Sequence, residues 1–317
     1  MSGLHHITAI AGKPWQNFDF YTRTLGLRLV KKTVNFDDVG TYHLYYGDEL
    51  GHPGTILTFF PWQYAAPGRG GTGFTHQIAF KIPLSALGYW THRLIENSVT
   101  NDSLEKRFGE PVLAFTDLDG TRLALVGVSG LEATLGWSNG IVPSEHAIRG
   151  LYGVTLLLES AALTAAMLAD VLDFIEIGRE GSMIRYRAPS AENGGVIDIH
   201  EAKGFPAGYL GRGSVHHIAF RATDDEAQAA MVRKLVEGHH IRPTEQIDRK
   251  YFRSIYFREP GGILFEIATD APGFAIDEPH EKLGQALQLP AEYEASRAAI
   301  EQTLPSLEYQ SDGDTSP

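Results

Sequence analysis

The stretches Leu4-His5-His6-Ile7-Thr8-Ala9-Ile10 and Val215-His216-His217-Ile218-Ala219-Phe220 read as one strand written twice. A repeated strand asks to be traced through the rest of the chain before any other element is assigned. Two weaker copies open at Phe74-Thr75-His76-Gln77-Ile78-Ala79-Phe80 and Leu151-Tyr152-Gly153-Val154-Thr155-Leu156. Aligned on the third residue of each, the copies stand at 6, 76, 153 and 217, at intervals of 70, 77 and 64. Helical apolar spacing follows each one, over Trp15 to Leu25, Leu87 to Ile95, Ala162 to Leu172 and Asp224 to Val236. Gly26 and Gly238 read as helix stops. Each unit then closes on a Gly-containing turn, Pro53-Gly54-Thr55, Asp119-Gly120-Thr121, Asn193-Gly194-Gly195 or Pro260-Gly261-Gly262. A mostly apolar run follows the turn, ending for alignment at Phe59, Leu125, Ile199 and Glu266.

A lone unit of strand, helix and further strands leaves exposed edges and a half-covered sheet. The expected fold is therefore α+β: four βαβββ modules forming two cupped mixed β-sheets with helices outside. By sequence the halves fall at 1–140 and 141–300, two modules each, with Ser138 to Gly150 as the link and 301–317 as a disordered acidic tail.

Composition narrows the function. The 317 residues carry 27 Lys+Arg against 39 Asp+Glu, a net charge of −12, and no cysteine. Such an acidic surface repels nucleic-acid backbones and anionic lipids, so neither is an expected partner. Without cysteine there is no disulfide, thiolate metal site or cysteine nucleophile. The start, Met1-Ser2-Gly3-Leu4-His5-His6, does not read as a signal peptide, and no apolar run reaches the ~18 residues of a membrane span. A cytoplasmic location is expected.

Against the repeat, the odd positions become visible. Glu266 ends a run whose counterparts are apolar, and a buried carboxylate needs a partner. His217 lies in the same unit. Symmetric chain closure favours units one and four sharing a cup, which brings His6 to that pair and leaves His76 facing Gly153 in the other cup. A histidine on an apolar strand is more often a hydrogen-bonded core residue than a ligand, and His76 is read that way. Two histidines and one carboxylate on rigid strands, His6, His217 and Glu266, form the facial set that holds Fe(II) and leaves positions open for substrate and dioxygen. Mn(II), Zn(II) or Ni(II) could occupy the same ligands in a purified sample.

At these residues the chain resembles the vicinal-oxygen-chelate superfamily, and within it the ring-cleaving hydroquinone dioxygenases. The stretches that carry the resemblance are Leu4-His5-His6-Ile7-Thr8, Tyr42-His43-Leu44-Tyr45-Tyr46, Asp48-Glu49-Leu50-Gly51, Val215-His216-His217, Asp248-Arg249-Lys250 and Pro260-Gly261-Gly262 leading into Phe265-Glu266. The resemblance spans about residues 4 to 290. It implies the same metal triad and adds His5, Thr8, His216, Arg249 and Tyr256 as neighbours that orient the ligands and serve catalysis. One tension follows. Strand alternation puts His5 and His216 on the face opposite their ligand neighbours, so either the strand openings are irregular or one of these histidines acts from outside the cup. Tyr256 equally suits a core tyrosine, Arg249 a solvated charge cluster, and His43 a packing residue.

The expected function is an Fe(II)-dependent ring-cleaving dioxygenase acting with O2 on a small hydroquinone-type or catechol-type aromatic. The alternative is a glyoxalase-like metal-dependent lyase or isomerase, and a third reading is an aromatic-sequestering protein. Lyases of the superfamily usually take a fourth protein ligand, and the position aligned for it here is Phe59. Self-association is left open by the sequence.

Overall fold

A computed structural model describes residues 3–308 of the chain. Each expected unit folds as strand, helix and three strands. The first holds β1 (Leu4–Ala11), α1 (Pro14–Asp19), β2 (Arg28–Asn35), β3 (Asp38–Gly47) and β4 (Ile56–Pro61). The second holds β5 (Phe74–Pro83), α2 (Leu87–Glu96), β6 (Glu105–Arg107), β7 (Glu110–Thr116) and β8 (Arg122–Val128). The third holds β9 (Leu151–Leu158), α3 (Ala162–Leu172), β10 (Ile175–Glu180), β11 (Met183–Arg187) and β12 (Val196–Glu201). The fourth holds β13 (Val215–Ala222), α4 (Asp225–His239), β14 (Ile247–Asp248), β15 (Arg253–Arg258) and β16 (Leu264–Thr269).

The strands make two curled mixed sheets of eight, in the orders β14-β15-β16-β13-β1-β4-β3-β2 and β10-β11-β12-β9-β5-β8-β7-β6. Units one and four share one sheet and units two and three the other. Each sheet thus takes one module from either side of residue 140. On β1, Ile7 and Ala9 enter the main apolar core while His6 and Thr8 sit on the alternate face, and all are buried. That core runs without a break from Ile7 and Ile218 of one sheet to Ile78 and Val154 of the other.

The helix stops divide. Gly26 has φ +70, the left-handed turn that a helix C-terminus favours. Gly238, however, lies inside α4, and the left-handed cap is His240 at φ 54. At the other end of α4 the Asp224 carboxylate accepts a hydrogen bond from Ala227 N at 2.8 Å, as an N-cap should.

Strand pairing corrects the alignment of the repeats by one residue. Across β1–β13, Leu4 pairs with Phe220 but His6 with Ala219, so His5 is an extra, bulged residue. Nearby, Thr8 pairs with His217 but Ala9 with Val215, which makes His216 the matching bulge. The β5–β9 pair repeats this, with His76 and Tyr152 bulged. His76 therefore corresponds to His5, and the residue equivalent to His6 in the second unit is Gln77. The parallel pairs shift the closing strands likewise. Ala219 pairs with Glu266, Thr8 with Thr58, Ala79 with Ala124 and Thr155 with Asp198. The counterparts of Glu266 are thus Thr58, Ala124 and Asp198 rather than Phe59, Leu125 and Ile199. Gly153 has its own reason: a Cβ there would meet Val196 O at 2.0 Å, so no side chain fits that strand crossing.

The chain's end covers the edge strand β2. Gln288 N donates to Lys32 O at 2.9 Å, and Leu289, Ile300 and Leu304 pack with Val34. The first residues of the expected tail are therefore ordered, in α5 (Arg297–Thr303) and the buried Leu304, because an uncovered edge would expose its ladder. Residues 309–317 of that tail lie outside the described residues. The strap is pinned by Lys31, whose buried amine contacts Asp277 at 2.6 Å and also Glu278.

Lys31→Met would leave two carboxylates facing a buried methyl group. Breaking such a buried ion pair costs about 3–5 kcal/mol, and a urea unfolding titration should show a loss of that size.

Candidate metal centre and its cavity

The site grows from the β1–β13 pairing at the centre of one sheet. His6 and Glu266 both lie beside Ala219, one on each flank, and His217 lies beside Thr8. Ala219 keeps the middle of that row small, so the longer side chains of its two neighbours can meet above it. His217 Nε2 stands 3.0 Å and His6 Nε2 3.4 Å from Glu266 Oε2. The two imidazoles are nearly perpendicular, at 85° with centroids 5.6 Å apart. One ligand atom from each of the three residues lies within 4.8 Å of the others, and among the described residues this is the one group of three that could hold a metal ion. The structure brings His6, His217 and Glu266 together and leaves His76 in the other sheet.

Glu266 is fully buried. Its Oε1 accepts from Ser254 Oγ at 2.5 Å, while Oε2 has no well-formed hydrogen bond. Burial pushes the carboxyl up, but the facing His6 and His217 outweigh it and hold the group well below the usual carboxylate range. Burial also lowers His217, against the pull of Glu266. A buried carboxylate oxygen with two imidazole nitrogens aimed at the same point is an N2O donor set that suits a divalent first-row ion. The residues fit a metal.

The bulges resolve the tension over the paired histidines, because both strand openings are irregular. His5 Nδ1 meets His6 Nδ1 at 2.9 Å, and His216 Nδ1 meets His217 Nδ1 at 2.8 Å. Burial first, and the neighbouring imidazole second, lower His5 and His216 to about 3, so both stay neutral. For the Nε2 lone pairs of His6 and His217 to face a metal, their Nδ1 atoms must carry the hydrogen and donate it to these neutral neighbours. Each bulged histidine thus fixes the tautomer and ring orientation of the residue after it.

Above the triad lies a cavity of about 350 Å³. Phe60 and Trp62 stack at 5.7 Å and 25°, and His216 meets both edge-on. Phe252 leans on His6 at 4.9 Å, and Tyr256 meets His217 edge-on at 5.7 Å. Tyr256 pairs with Glu266 in the sheet, and burial followed by Glu266 raises its phenol above the ordinary value. Arg249 Nε donates to the Tyr256 oxygen at 3.3 Å, and its Nη1 reaches Asp37 at 3.3 Å. Arg249 therefore belongs to the cavity wall.

Thr8 accepts from Thr58 Oγ1 at 2.8 Å, and Thr58 is in turn joined to His43 Nε2 at 2.8 Å. His43 Nδ1 is bonded to the Tyr45 hydroxyl at 2.9 Å. His43 is thus a wall residue and not mere packing. Thr58, Trp62 and Phe252 had no role in the sequence reading, and Tyr45 entered it only within the stretch Tyr42-His43-Leu44-Tyr45-Tyr46. The alternation of His43 and Tyr45 on β3 was the available signal for two of them.

The equivalent place in the second sheet is filled differently. Arg185 grips Asp198 through two bonds of 2.7 Å and reaches Glu110 at 2.5 Å, while Tyr152 contacts Glu110 from its bulge. His76 is lowered to about 4 by burial and then by Arg122.

Comparison with known proteins shows the family. The sequence matches the family described as the Glyoxalase/Bleomycin resistance protein/Dioxygenase superfamily over residues 3–125 and 154–267. It is 47% identical over 303 residues to a Bacillus subtilis (strain 168) protein named "Putative ring-cleaving dioxygenase MhqO", covering 95% of each chain. It is 35% identical to the chlorohydroquinone/hydroquinone 1,2-dioxygenase of Sphingobium indicum, covering 96% of each. A crystal structure from Bacillus subtilis superposes with a TM-score of 0.92 at 46% identity, covering 97% of this chain and 98% of the other. Among the described residues no helix is long and apolar enough to cross a membrane.

In metal-loaded crystals, His6, His217 and Glu266 should each lie ~2.0–2.3 Å from one ion. Glu266→Ala should lose the metal by elemental analysis while its circular dichroism stays that of a folded protein. Metal bound at His76 would refute the assignment.

Proposed function

The chain belongs to the glyoxalase/bleomycin resistance protein/dioxygenase superfamily and is a ring-cleaving dioxygenase, and within that class we propose that it uses Fe(II) to open a hydroquinone-type ring next to a hydroxyl. The observation that carries this reading is the open triad of His6, His217 and Glu266 beneath an aromatic cavity. A metal held by these three side chains alone would keep coordination positions for substrate and dioxygen. The Sphingobium relative, named for its action on hydroquinones, supports that substrate class over catechols.

Fe(II), when bound, would supply Lewis acidity toward a phenolic oxygen and a path for electrons from the ring to dioxygen. The chain's own residues do the rest. Phe60, Trp62 and Phe252 give the ring apolar faces and exclude water from the reacting edge. His5 and His216, neutral and aligned through Nδ1, keep His6 and His217 in the ligand tautomer. Arg249 donates to the oxygen of Tyr256, which leaves the Tyr256 hydrogen free to point into the cavity. Its raised phenol keeps that proton at working pH, so Tyr256 acts as the donor to an oxygen on which negative charge develops. Both atoms of dioxygen enter the product as one ring C–C bond breaks, and no external reductant is needed.

A glyoxalase-type lyase would want a fourth ligand opposite Glu266. The residue there is Thr58, whose hydroxyl is already engaged by Thr8 and His43. A protein that only sequesters aromatics has no use for a converging, unpaired carboxylate oxygen.

Dioxygen uptake by anaerobically Fe(II)-loaded protein, followed with loss of the aromatic ultraviolet band, should be seen with hydroquinones. Tyr256→Phe should retain iron and lower turnover by roughly 10²–10⁴-fold, the usual scale of general acid–base help. Loaded protein that takes up no oxygen with any hydroquinone or catechol, yet isomerises a thiol adduct, would replace this reading with the lyase.

A further inference from the structure

We propose that Tyr45, oriented by His43, recognises the second hydroxyl of the substrate ring by presenting a hydrogen-bond acceptor that favours a free hydroquinone over its O-alkylated form. The proposal rests on the ring-cleaving reading above and gives its cavity a second point of recognition. His43 and Tyr45 stand two apart on β3, so they share a face, and both line the cavity.

With the Thr58 hydroxyl as donor to Thr8, counting hydrogens sets the remaining directions. Thr58 Oγ1 donates its one hydrogen to Thr8 Oγ1. Toward His43 it can therefore only accept, which puts a hydrogen on His43 Nε2. A neutral imidazole then has a bare Nδ1, and this nitrogen takes the Tyr45 hydrogen. Tyr45 is left with lone pairs alone to offer a ligand.

Tyr256 holds the position related to Tyr45 by the repeat, since Tyr256 pairs with Glu266 as Tyr45 pairs with Thr58. Its polarity is the reverse. The Tyr256 oxygen accepts from Arg249 Nε, so its hydrogen is free. The cavity has a donor on one wall and an acceptor on the other. A ring with two oxygens, one able to accept and the other carrying O–H, satisfies both. An ether oxygen at Tyr45 would set lone pair against lone pair in a buried place, which sites built for a hydroxyl reject.

The test is equilibrium binding to the full-length, metal-loaded protein without oxygen, read from the quenching of tryptophan fluorescence, since Trp62 lines the cavity. The probes are hydroquinone and 4-methoxyphenol. Wild-type protein should prefer hydroquinone by about tenfold, the scale of one matched hydrogen bond. Tyr45→Phe should erase the preference by weakening hydroquinone alone. His43→Leu frees the Tyr45 hydrogen and should shift the preference toward 4-methoxyphenol, a reversal that simple loss of packing would not produce. Circular dichroism checks each variant, and His43→Leu carries the test if Tyr45→Phe does not fold. Equal affinity in the wild type, or a preference kept in both variants, overturns the proposal. Oxygen uptake is not the readout, so an active dioxygenase without the preference separates failure here from failure of the catalytic reading.

Discussion

The antiparallel pairing of β1 with β13 is the constraint on which the rest depends. These strands come from opposite ends of the chain, and their register decides what stands beside what. With Ile7 opposite Ile218, His6 falls beside Ala219 and His217 beside Thr8. A slip of one residue would turn both imidazoles toward the helices. The two bulges are what let adjacent histidines cooperate. A regular strand sends neighbours to opposite faces, whereas the extra residue re-aims the side chain and bends the strand. His5 and His216 therefore reach the Nδ1 atoms of their successors, and one local irregularity used twice orients both imidazoles.

Burial gives the triad its electrostatic character. A carboxylate out of water is costly unless compensated, and the chain answers one oxygen of Glu266 with the Ser254 hydroxyl while the two imidazoles face the other. That second oxygen keeps no well-formed hydrogen bond. Packing has placed three lone-pair donors where a divalent charge would relieve them. The aromatic walls extend the same logic to the substrate, since water excluded by Phe60, Trp62 and Phe252 no longer competes for the oxygens of a bound ring.

Much of this was legible because a repeat exposes its own exceptions. His6, His217 and Glu266 stood out as polar residues in an apolar frame, and symmetric closure paired units one and four. The register was read one residue off in the second unit, where Phe74-Thr75-His76 was set against Leu4-His5-His6, and in the closing strands, because nothing in an apolar run marks which of its residues pairs across the sheet. That is why His76 seemed equivalent to His6, and Phe59 to Glu266. His43 was taken for packing because its two partners have ordinary sequences, and the Thr58-to-Thr8 bond that orients it crosses 50 positions. The ordered start of the C-terminal strap was hidden for a similar reason. Leu304 looks like a stray apolar residue until β2 is seen to need a cover.

The second sheet shows why one cup can be reactive and the other inert. Built on the same pairing and the same pair of bulges, it has Gln77 and Gly153 where the first has His6 and His217. Its carboxylate, Asp198, occupies the place of Glu266, but it faces the guanidinium of Arg185 through two hydrogen bonds. A fixed cation supplied by the chain answers there the charge that Glu266 leaves open. Arg185 cannot lose its proton in practice and has a fork matched to a carboxylate, so that cup is closed electrostatically. The difference between the sheets reduces to whether the positive charge opposite the buried acid is built into the sequence or left for an ion to bring. Leaving it out costs stability in the metal-free chain, and it is what keeps coordination positions free for chemistry.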